Sequence, residues 1–408
     1  MNRDGHVLVI GAGVVGMTTA LALIERGRRV TLVDAAEGPG LGTSFANGAQ
    51  LSYAYADALA TPGLIAQMPR LIAAADPAFR LHPSLDPDFL RWGLAFLRNA
   101  TASRFHRNTV AGLELAIESR LALHALIARH AIAFEYTTPG KLHVYRDAKG
   151  LAGAAALVRV KNAMGFTQHI LTRDEAIGVE PALEAIRDEM VGALHTPDEE
   201  VGDPYRFCAG ALAALKSSGR FASCFRTRVS RIEARGGKPA ILTDNGGRID
   251  ADGVVLCAGA DAAKLARTAG ARLPILPMKG YSLTAPPGRA APRVSITDVS
   301  NRVVFARLGD QMRVAGLADL GARDRTVDPK RFAALVGSAR AALPEAAEYD
   351  NIESRWAGLR PMTPDSLPVI RRIAPGVFAN AGHGALGWTY AAGAAARVAR
   401  LIDQESNG

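Results

Sequence analysis

The sequence predicts an α/β protein with two domains, and three observations support this. The chain has 408 residues, which is longer than a single hydrophobic core usually supports. Its first thirty-four residues follow the order strand, glycine turn, helix and strand, which is the order of a βαβ unit. A later stretch, residues 281–315, contains only short strand patterns separated by Pro, Gly and Asp, which indicates a second sheet.

The βαβ unit begins with the apolar run HVLVI, the pattern of a parallel strand that is buried on both faces. The turn that follows is Gly11-Ala-Gly13-Val-Val-Gly16, and apolar residues continue at helical spacing over residues 14–26. In such a turn the first glycine permits the tight bend and the second lets a pyrophosphate approach the backbone. The third lets helix and strand pack closely. Free N–H groups at the start of the helix attract the phosphates.

Asp34 ends the second strand eighteen residues after Gly16, at the distance where a carboxylate accepts hydrogen bonds from ribose hydroxyls. An acidic residue in this place disfavours the 2′-phosphate of NADP. The unit therefore predicts a site for NAD or FAD. A glycine-rich turn in an unrelated α/β protein is the alternative.

The composition excludes several classes of protein. No run of eighteen apolar residues occurs, and polar residues 2–4 precede the first strand, so we expect neither a transmembrane helix nor a cleaved signal peptide. The three cysteines, Cys208, Cys224 and Cys257, lack metal-ligand spacing, which predicts no metal site and favours the reducing cytoplasm. The net charge of +9 is scattered without a basic run, so nucleic-acid binding is not expected. An anionic substrate and peripheral contact with the acidic inner face of the cytoplasmic membrane both stay open.

The middle of the chain predicts a loop, a helical layer and a strand. A glycine-rich connection at residues 38–42 leads into TSFANGAQ, residues 43–50, whose small and amide side chains suit close approach to a ligand. Apolar residues at spacings of three to five predict a helical layer over residues 86–130. The alternating KLHVY at Lys141–Tyr145 predicts a half-buried strand of another sheet.

The last half of the chain repeats the pattern of a buried strand followed by small residues. Short strands in RVSRIEA and ILTDNGGRIDAD lead to GVVLCAGA, residues 253–260, where Ala258 and Gly259 leave the backbone open to a ligand. Near the C-terminus a strand, VFANA, precedes the turn GHGALGWT and a helix over residues 390–402. A glycine turn that opens a helix is a second candidate cradle for an anion or a carbonyl group.

Together, the glycine turn, the CAGA strand and the terminal GHGALGWT turn resemble the FAD-dependent amino acid oxidases and dehydrogenases of the D-amino acid oxidase superfamily. Within it the chain resembles the bacterial D-amino acid dehydrogenase small-subunit family over essentially its whole length. The sharpest matches are TSFANGAQ (43–50), DEEVGDPYRF (198–207), PMKGYSLT (277–284), WAGLRPMTPDSLPVI (356–370) and NAGHGALGWT (380–389). The family commonly has NAGQ where this chain has Asn47-Gly-Ala-Gln50, and better-known members differ at Tyr53 and Tyr55. Substrate preference therefore stays open.

The resemblance implies an α/β fold in which a Rossmann-like FAD-binding domain of the glutathione-reductase type is interleaved with an α+β substrate domain. The FAD domain is assigned to residues 1–55, 195–270 and 350–408, and the substrate domain to residues 56–194 and 271–349 around a mostly antiparallel sheet. FAD is expected to bind non-covalently. The residues implied at the flavin are Gly11, Ala12, Gly13, Val14, Val15, Gly16, Asp34, Ala35, Thr43, Ser44, Asn47, Ala49, Gln50, Leu51, Val229, Ala258, Gly259, Arg360, His383, Gly384, Leu386, Gly387, Trp388 and Thr389.

The resemblance also implies a grip on the substrate carboxylate. Arg360 matches the position that clamps the carboxylate in related dehydrogenases, and a guanidinium is suited to bidentate contact. The alternative is a salt bridge from Arg360 to Asp365. Tyr281 matches a partner position that supplies a phenolic donor, or else it packs across strands. Arg307 is a candidate second carboxylate contact, with an exposed strand arginine as the alternative.

Four further residues are candidates near the reacting atoms. The resemblance places His383 beside the flavin ring, where it modulates the flavin, accepts the amine proton or only spaces the turn. Gln50, Tyr53 and Tyr55 follow the flavin loop and are expected to line the substrate cavity. Ordinary core tyrosines are the alternative for Tyr53 and Tyr55.

The leading functional expectation is FAD-dependent oxidative deamination of a D-amino acid. Hydride moves from the α carbon to flavin N5, the imino acid hydrolyses to a 2-oxo acid and ammonia, and a quinone or respiratory acceptor takes the electrons. One alternative is a dehydrogenase of a cyclic secondary amine such as D-proline or 4-hydroxy-D-proline. A second is an oxygen-using oxidase, with Lys279 as a flavin-activating residue. A non-catalytic or NAD-binding protein is a third, and the oligomeric state is left open.

Overall fold

A computed structural model describes residues 4–63, 78–234 and 238–406 of the chain. The helices are α1 Val14–Ile24, α2 Pro87–Asn99, α3 Ala102–His130, α4 Ala148–Ala163, α5 Arg173–Val179, α6 Pro204–Ser217, α7 Ala262–Thr268, α8 Pro329–Ala342 and α9 Gly387–Ser406. The strands are β1 His6–Ile10, β2 Arg29–Val33, β3 Gln50–Leu51, β4 Phe79–Leu81, β5 Lys141–Tyr145, β6 His169–Leu171, β7 Gly192–Thr196, β8 Glu200–Val201, β9 Phe221–Cys224, β10 Val229–Glu233, β11 Ala240–Thr243, β12 Arg248–Asp250, β13 Gly253–Leu256, β14 Leu276–Ala285, β15 Ser295–Asp298, β16 Val303–Leu308, β17 Gln311–Leu320, β18 Ser354–Met362, β19 Val369–Ala374 and β20 Val377–Ala381.

The first sheet has the strand order β19-β20-β13-β1-β2-β9. Its strands are parallel, apart from the antiparallel edge strand β19. Val7 and Val9 of β1 pack in one hydrophobic core with α1, α3, α6 and α9, while Leu8 and Ile10 pack in another core on the opposite face. Both faces of β1 are therefore buried, as its continuous apolar run predicts. The strands in RVSRIEA and ILTDNGGRIDAD form a separate antiparallel sheet, β10-β11-β12.

The second large sheet has the order β18-β14-β17-β16-β15-β5-β7-β6, and β4 pairs with β17. It is mostly antiparallel, and only the β15–β5 and β17–β4 pairs among its described strands are parallel. The sheet contains the predicted strand Lys141–Tyr145 and the strand patterns of residues 281–315. The α/β fold class with a mostly antiparallel second sheet is confirmed.

Two elements pack with a different domain from the one to which they were assigned. The remaining domain ranges stay a prediction. Strand β18 belongs to the second sheet through its pairing with β14, although residues 350–408 were assigned to the first domain. Helix α3 was assigned to the second domain, yet its Leu113, Leu115 and Ala116 are buried in the same core as α1 and α9. The apolar face of α3 therefore packs against the helices of the first sheet.

Local capping explains where the helices begin and end. The layer predicted over residues 86–130 is two helices, because Asp86 accepts a hydrogen bond from the N–H of Asp88 and Thr101 accepts one from that of Arg104. Helix α1 ends at Ile24, two residues before the predicted end, and Gly27 has a left-handed φ of +82°. Helix α9 starts earlier than predicted and ends later, at Gly387–Ser406. None of the helices in the described residues is long and apolar enough to cross a membrane.

Residues 43–52, here called the crossing segment, run from the first sheet over the face of the second. The segment meets successive strands of that sheet, from β18 at one edge to β5. These contacts are Thr43 Oγ1 to Leu359 O on β18 (2.8 Å), Ser282 Oγ on β14 to Ala46 O (2.5 Å), Arg313 Nη1 on β17 to Asn47 O (3.1 Å), Gln50 Nε2 to Ser295 Oγ on β15 (2.7 Å) and Lys141 Nζ on β5 to Ser52 Oγ (2.6 Å). The crossing segment thus fixes the two sheets against each other.

Candidate functional site

A cavity of about 1110 Å³ lies between the first sheet and the second. The first sheet contributes the glycine turn, Asp34 and the start of α9, and the second contributes residues such as Tyr281 and Arg360. Ligand pockets usually measure about 300–1,000 Å³. The cavity is therefore large enough for a dinucleotide together with a small substrate.

At one end of the cavity, the glycine turn has no room for a side chain at Gly11 or Gly16. Gly11 has a φ of +108°, and a Cβ there would lie 2.5 Å from the carbonyl oxygen of Cys257 on the neighbouring strand. A Cβ at Gly16 would overlap the carbonyl oxygen of Gly11. The N–H of Val14 at the start of α1 donates to Ser44 Oγ (3.1 Å), which ties the crossing segment to the helix.

Asp34 lines the cavity and also holds the glycine turn. Its carboxylate accepts hydrogen bonds from the N–H groups of Ala12 (2.6 Å) and Ala36 (2.7 Å). A carboxylate has about four lone-pair sites, so both oxygens can still accept bonds from a ribose. The sequence predicts only the ribose contact, since the bond to the turn depends on the folded loop.

The residues of this cavity fit a bound flavin dinucleotide. A Cβ at Gly42 or Gly259 would meet nothing within 4 Å, so the backbone on the cavity side lies open to a ligand. The Nε2 atom of His383 is buried at the cavity wall and has no hydrogen-bond partner among the described residues. Buried polar atoms are normally paired, so this nitrogen indicates a polar ligand beside it.

Burial lowers the pKa of His383 to about 3. A general base works best when its pKa lies near the working pH, so the imidazole is a poor acceptor for an amine proton. Of the expected roles of His383, contact with the flavin or spacing of the turn agrees better with this environment. The choice between these two stays a prediction.

Arg360 lies on the cavity wall within the second sheet. Its guanidinium lies against Gly280 on the neighbouring strand β14, where a Cβ would be only 2.5 Å from the Cζ atom. It donates to the carbonyl oxygen of Leu317 (2.9 Å), and burial lowers the pKa of the guanidinium while the charge of Asp319 partly offsets this. No ion pair with Asp365 occurs within the described part of the chain, so the alternative of a salt bridge is not observed.

Tyr281 also lines the cavity, but its hydroxyl is already engaged. The phenolic O–H donates to Asp319 Oδ2 (3.3 Å), and Asp319 forms a buried ion pair with Arg331 (2.5 Å). Burial, and then the charge of Asp319, raise the pKa of Tyr281. That Tyr281 donates a hydrogen bond to the substrate stays a prediction. The hydroxyl would first have to break its hydrogen bond to Asp319.

Gln50 and Tyr55 line the cavity together with two residues that the sequence does not single out, Lys141 and His143. The ring of Tyr55 stacks on that of His143 with the centroids 3.7 Å apart, and its hydroxyl contacts Thr196 Oγ1 (2.9 Å). Lys141 Nζ donates to Gln50 Oε1 (2.9 Å). Polar residues at alternate positions of the KLHVY strand are the signal that would have identified them.

Three residues singled out in the sequence do not line the cavity. Tyr53 is a buried core tyrosine that donates to Glu200 Oε2 (3.0 Å). Arg307 is exposed and donates to Gly309 O. It lies three positions from the cavity-lining Val304, and an odd separation along a strand places it on the opposite face of β16. Lys279 is directed to Asp324 (2.6 Å). The cavity positions considered for Tyr53 and Arg307 are thus not observed, whereas their alternatives, a core tyrosine and an exposed strand arginine, are.

Most residues implied at the flavin do line the one cavity, although they come from distant parts of the chain. Those along it are Gly11, Ala12, Gly13, Val14, Val15, Asp34, Ala35, Thr43, Ser44, Asn47, Ala49, Gln50, Val229, Ala258, Gly259, Arg360, His383, Gly384, Leu386, Gly387 and Trp388. Gly16, Leu51 and Thr389 lie behind this lining. Thr389 Oγ1 there accepts a hydrogen bond from the N–H of Ser52 (3.0 Å). The described residues contain no group of three or more His, Cys, Asp or Glu side chains able to hold a metal, and their three cysteines are free thiols.

Comparison with known proteins agrees with this architecture. The family model described as DAO, FAD dependent oxidoreductase, matches residues 6–401. D-amino acid dehydrogenase 2 of Ralstonia nicotianae is 40% identical over 408 residues, covering 97% of this chain and 96% of that protein. D-amino acid dehydrogenase of Paramagnetospirillum magneticum is 40% identical over 400 residues, covering 97% and 94%.

Solved structures show the same fold at lower sequence identity. Glycine oxidase from Geobacillus kaustophilus has a TM-score of 0.77 at 20% identity and covers 98% of this chain and 95% of its own. L-proline dehydrogenase from P. horikoshii has a TM-score of 0.76 at 18% identity and covers 99% and 95%. With a family match over nearly the whole length and a cavity that fits the cofactor, the chain belongs to the FAD dependent oxidoreductase family.

Proposed function

We propose that the protein is an FAD-dependent dehydrogenase of D-amino acids. The substrate loses a hydride from its α carbon and a proton from its amine nitrogen, so that the Cα–N bond becomes the double bond of an imino acid. Water then replaces the imine nitrogen to give a 2-oxo acid and ammonia. When bound, FAD supplies the two-electron acceptor for the hydrogen on the α carbon. The names of the 40% identical relatives support a D-amino acid as the substrate.

The observation that carries the proposal is the partly buried guanidinium of Arg360 on the cavity wall. Among the described residues it donates one hydrogen bond, to Leu317 O, which leaves donors for a ligand. A carboxylate beside it forms charge-assisted bonds that fix the substrate against the wall. Orientation of this kind accounts for a large part of rate enhancement in bimolecular reactions. The glycine turn, Asp34 and the start of α9 would hold the cofactor from the first sheet, on the other side of the same cavity.

A panel of D- and L-amino acids, scored by dye reduction with the purified flavoprotein, tests the proposal. We expect turnover of D-amino acids, and Arg360→Ala should raise KM at least tenfold with flavin content unchanged, since a charge-assisted hydrogen bond contributes about 1.5–3 kcal/mol. Arg360→Lys, which keeps the charge but loses the planar fork, should lie between the two. An unchanged KM in Arg360→Ala would place the carboxylate elsewhere.

A cyclic secondary amine such as D-proline is the second candidate substrate. A grip on the α-carboxylate does not distinguish primary from secondary amines, and an enzyme named L-proline dehydrogenase shares the fold. D-proline and 4-hydroxy-D-proline therefore belong in the same panel. The class of amine, primary or cyclic secondary, that gives the higher kcat/KM is the substrate class of the enzyme.

We also propose a quinone or other respiratory acceptor in place of dioxygen. The oxidase alternative relied on Lys279, whose ammonium is directed to Asp324 and does not line the cavity. Turnover should be much faster with a soluble quinone analogue than with dioxygen. Rapid formation of hydrogen peroxide would contradict this part of the proposal.

Peripheral membrane association is supported by an exposed apolar face on α2. Leu90, Leu94 and Leu97 lie at helical spacing and are 54%, 52% and 36% exposed. Asp88 in the first turn of α2 forms an ion pair with Arg91 (3.3 Å), and no acidic residue occurs over residues 89–113, which contain four arginines. An apolar face flanked by cations is typical of helices that bind anionic lipid surfaces.

Sedimentation with vesicles of anionic lipid tests this association. The protein should sediment with anionic but not with zwitterionic vesicles, and Leu90→Gln combined with Leu94→Gln should reduce the bound fraction severalfold. Leu121→Gln, at a 68% exposed leucine of α3, is the matched control. Equal binding by all three proteins would exclude α2 as the contact.

A further inference from the structure

One wall of the cavity carries polar groups for which the proposed function gives no role. Strands β5 and β15 are neighbours, and their register pairs Lys141 with Ser295 and His143 with Thr297. Lys141, His143 and Thr297 all line the cavity. The Nδ1 atom of His143 and the Oγ1 atom of Thr297 are buried and have no hydrogen-bond partner among the described residues. Two unpaired polar atoms side by side indicate a ligand group that completes them.

The charge at this wall is positive. Lys141 is buried, and its ammonium donates to the neutral acceptors Gln50 Oε1 and Ser52 Oγ and lies 4.8 Å from the centre of the Tyr55 ring. Burial, and then the charges of Lys141 and Lys161, lower the pKa of His143 well below its usual value. The field at the His143 ring is therefore one that favours an anion.

The nearby carboxylates do not cancel this field. Lys161 forms an ion pair with Asp57 (2.7 Å), so these two charges largely offset each other and the positive charge at the wall is mainly that of Lys141. Burial raises the pKa of Glu199 to about 7, although the charge of Lys141 acts in the opposite direction. Burial also lowers the pKa of Lys141 to about 8, so near neutral pH Lys141 keeps most of its positive charge while Glu199 carries only part of its negative charge.

The distance from this wall to Arg360 sets the size of the ligand. The guanidinium of Arg360 lies over Gly280 of β14 and bonds to Leu317 of β17, and three inter-strand steps separate β17 from β5. His143 shares a row of the sheet with Ala315 through Thr297 and Val304, so Leu317 lies two residues, about 7 Å, further along β17. At about 4.8 Å per inter-strand step, the separation is then roughly 16 Å to His143 on β5 and roughly 12 Å to Thr297 on β15. Charge-assisted hydrogen bonds of about 2.8 Å at both ends leave about 6–10 Å for the ligand. An extended five-carbon dicarboxylate, with carbon–carbon bonds of about 1.5 Å, falls within this range.

We propose that Lys141, His143 and Thr297 form a second carboxylate subsite, which takes the side-chain carboxylate of an acidic D-amino acid with a five-carbon chain. The α-carboxylate of the same molecule binds Arg360, so this inference rests on the proposed function. In the subsite Thr297 and the Nδ1–H tautomer of His143 donate hydrogen bonds to the carboxylate. Lys141 supplies the neighbouring positive charge.

Steady-state kinetics with the purified flavoprotein test the subsite. D-glutamate, D-glutamine and D-norvaline have the same carbon chain and differ in the end group. We expect KM for D-glutamate to be at least tenfold below that of the other two. Lys141→Met should lower the preference for D-glutamate over D-norvaline, measured as the ratio of their KM values, about tenfold or more, and Lys141→Arg should restore it. Lys330→Met, at an exposed residue of α8, is the control for net charge.

A second variant keeps the test independent of folding defects at Lys141. Thr297→Val preserves shape and removes only a hydroxyl that has no partner within the described residues, so it should raise KM for D-glutamate selectively. Calorimetry should show glutarate binding at least tenfold more tightly than pentanoate, with the difference lost in Lys141→Met. Turnover of D-norvaline with no preference for D-glutamate overturns the subsite alone. An absence of turnover for every D-amino acid overturns the proposed function instead.

Discussion

Replacing Gly280 by alanine tests whether the position of Arg360 determines substrate binding. Gly280 lies in the extended strand β14, where alanine is acceptable to the backbone. The new Cβ would lie 2.5 Å from Cζ and 2.7 Å from Nη1 of Arg360. Contacts of this kind are normally about 3.5–4.0 Å long, so the guanidinium has to move by about 1 Å.

The size of the effect follows from this displacement. A misplacement of about 1 Å at a substrate-positioning group can cost on the order of 10²-fold in rate. Loss of one charge-assisted hydrogen bond, at about 1.5–3 kcal/mol, corresponds to roughly ten- to 150-fold in binding. We therefore expect kcat/KM for D-amino acids to fall about ten- to 100-fold. The visible absorbance of the flavin should not change, because Gly280 lies on the wall that the second sheet contributes and not at the glycine turn.

Dye-linked kinetics of Gly280→Ala and of a matched control measure this effect. Gly337 is exposed on α8, and a Cβ there would meet nothing within 4 Å. Gly337→Ala should keep wild-type kinetics and gain up to about 1 kcal/mol in stability, since alanine favours helix. If both variants had the same kcat/KM, the contact between Gly280 and Arg360 would have no part in substrate binding.

Three further predictions concern the cofactor site and stability. Gly11→Ala forces a left-handed φ of +108° on alanine, so we expect a loss of about 1–3 kcal/mol and a lower flavin content, measured by thermal melting and visible absorbance; a wild-type spectrum would contradict this. Asp319→Asn removes the carboxylate that neutralises buried Arg331 and should cost about 3–5 kcal/mol in urea unfolding, whereas Asp350→Asn, at an exposed ion pair, should cost less than about 0.5 kcal/mol. Equal losses would refute the role of burial. Burial raises the pKa of Glu199 from 4.5 to about 7, so its contribution to stability is complete below pH 4.5 and is lost as the pH rises through 7. Glu199→Gln should lack this decline in melts from pH 5 to 8, and parallel wild-type and variant curves would argue against it.

The nucleotide end of the cavity is predictable because its determinants are local. Gly11 and Gly16 are required by the backbone within six residues, and Asp34 follows at a fixed distance along one βαβ unit. The continuous apolar run of β1 likewise predicts a strand that is buried on both faces. The bond from Asp34 to Ala12 was not predictable, since it depends on how the folded turn meets the end of β2.

The substrate end depends on register, which the sequence does not encode locally. Tyr53 and Tyr55 are two residues apart, yet one is buried against Glu200 and the other stacks on His143 at the cavity. Arg307 was misplaced because a shift by one position in a strand moves a side chain to the other face. Lys141 lies beside Ser295 at the cavity only because β5 pairs with β15, which is about 150 residues further along the chain.

The crossing segment has a consequence for the order in which the molecule is assembled. Its hydrogen bonds to the second sheet join residues 236, 245 and 316 positions apart, as in Ser282 with Ala46, Gln50 with Ser295 and Thr43 with Leu359. Contacts so distant in sequence form late in folding, because long loops must close before they are made. The N-terminal βαβ unit leaves the ribosome first, but its cavity acquires the second wall only when strand β18 has been synthesised. Stable uptake of the cofactor is therefore expected after translation of nearly the whole chain.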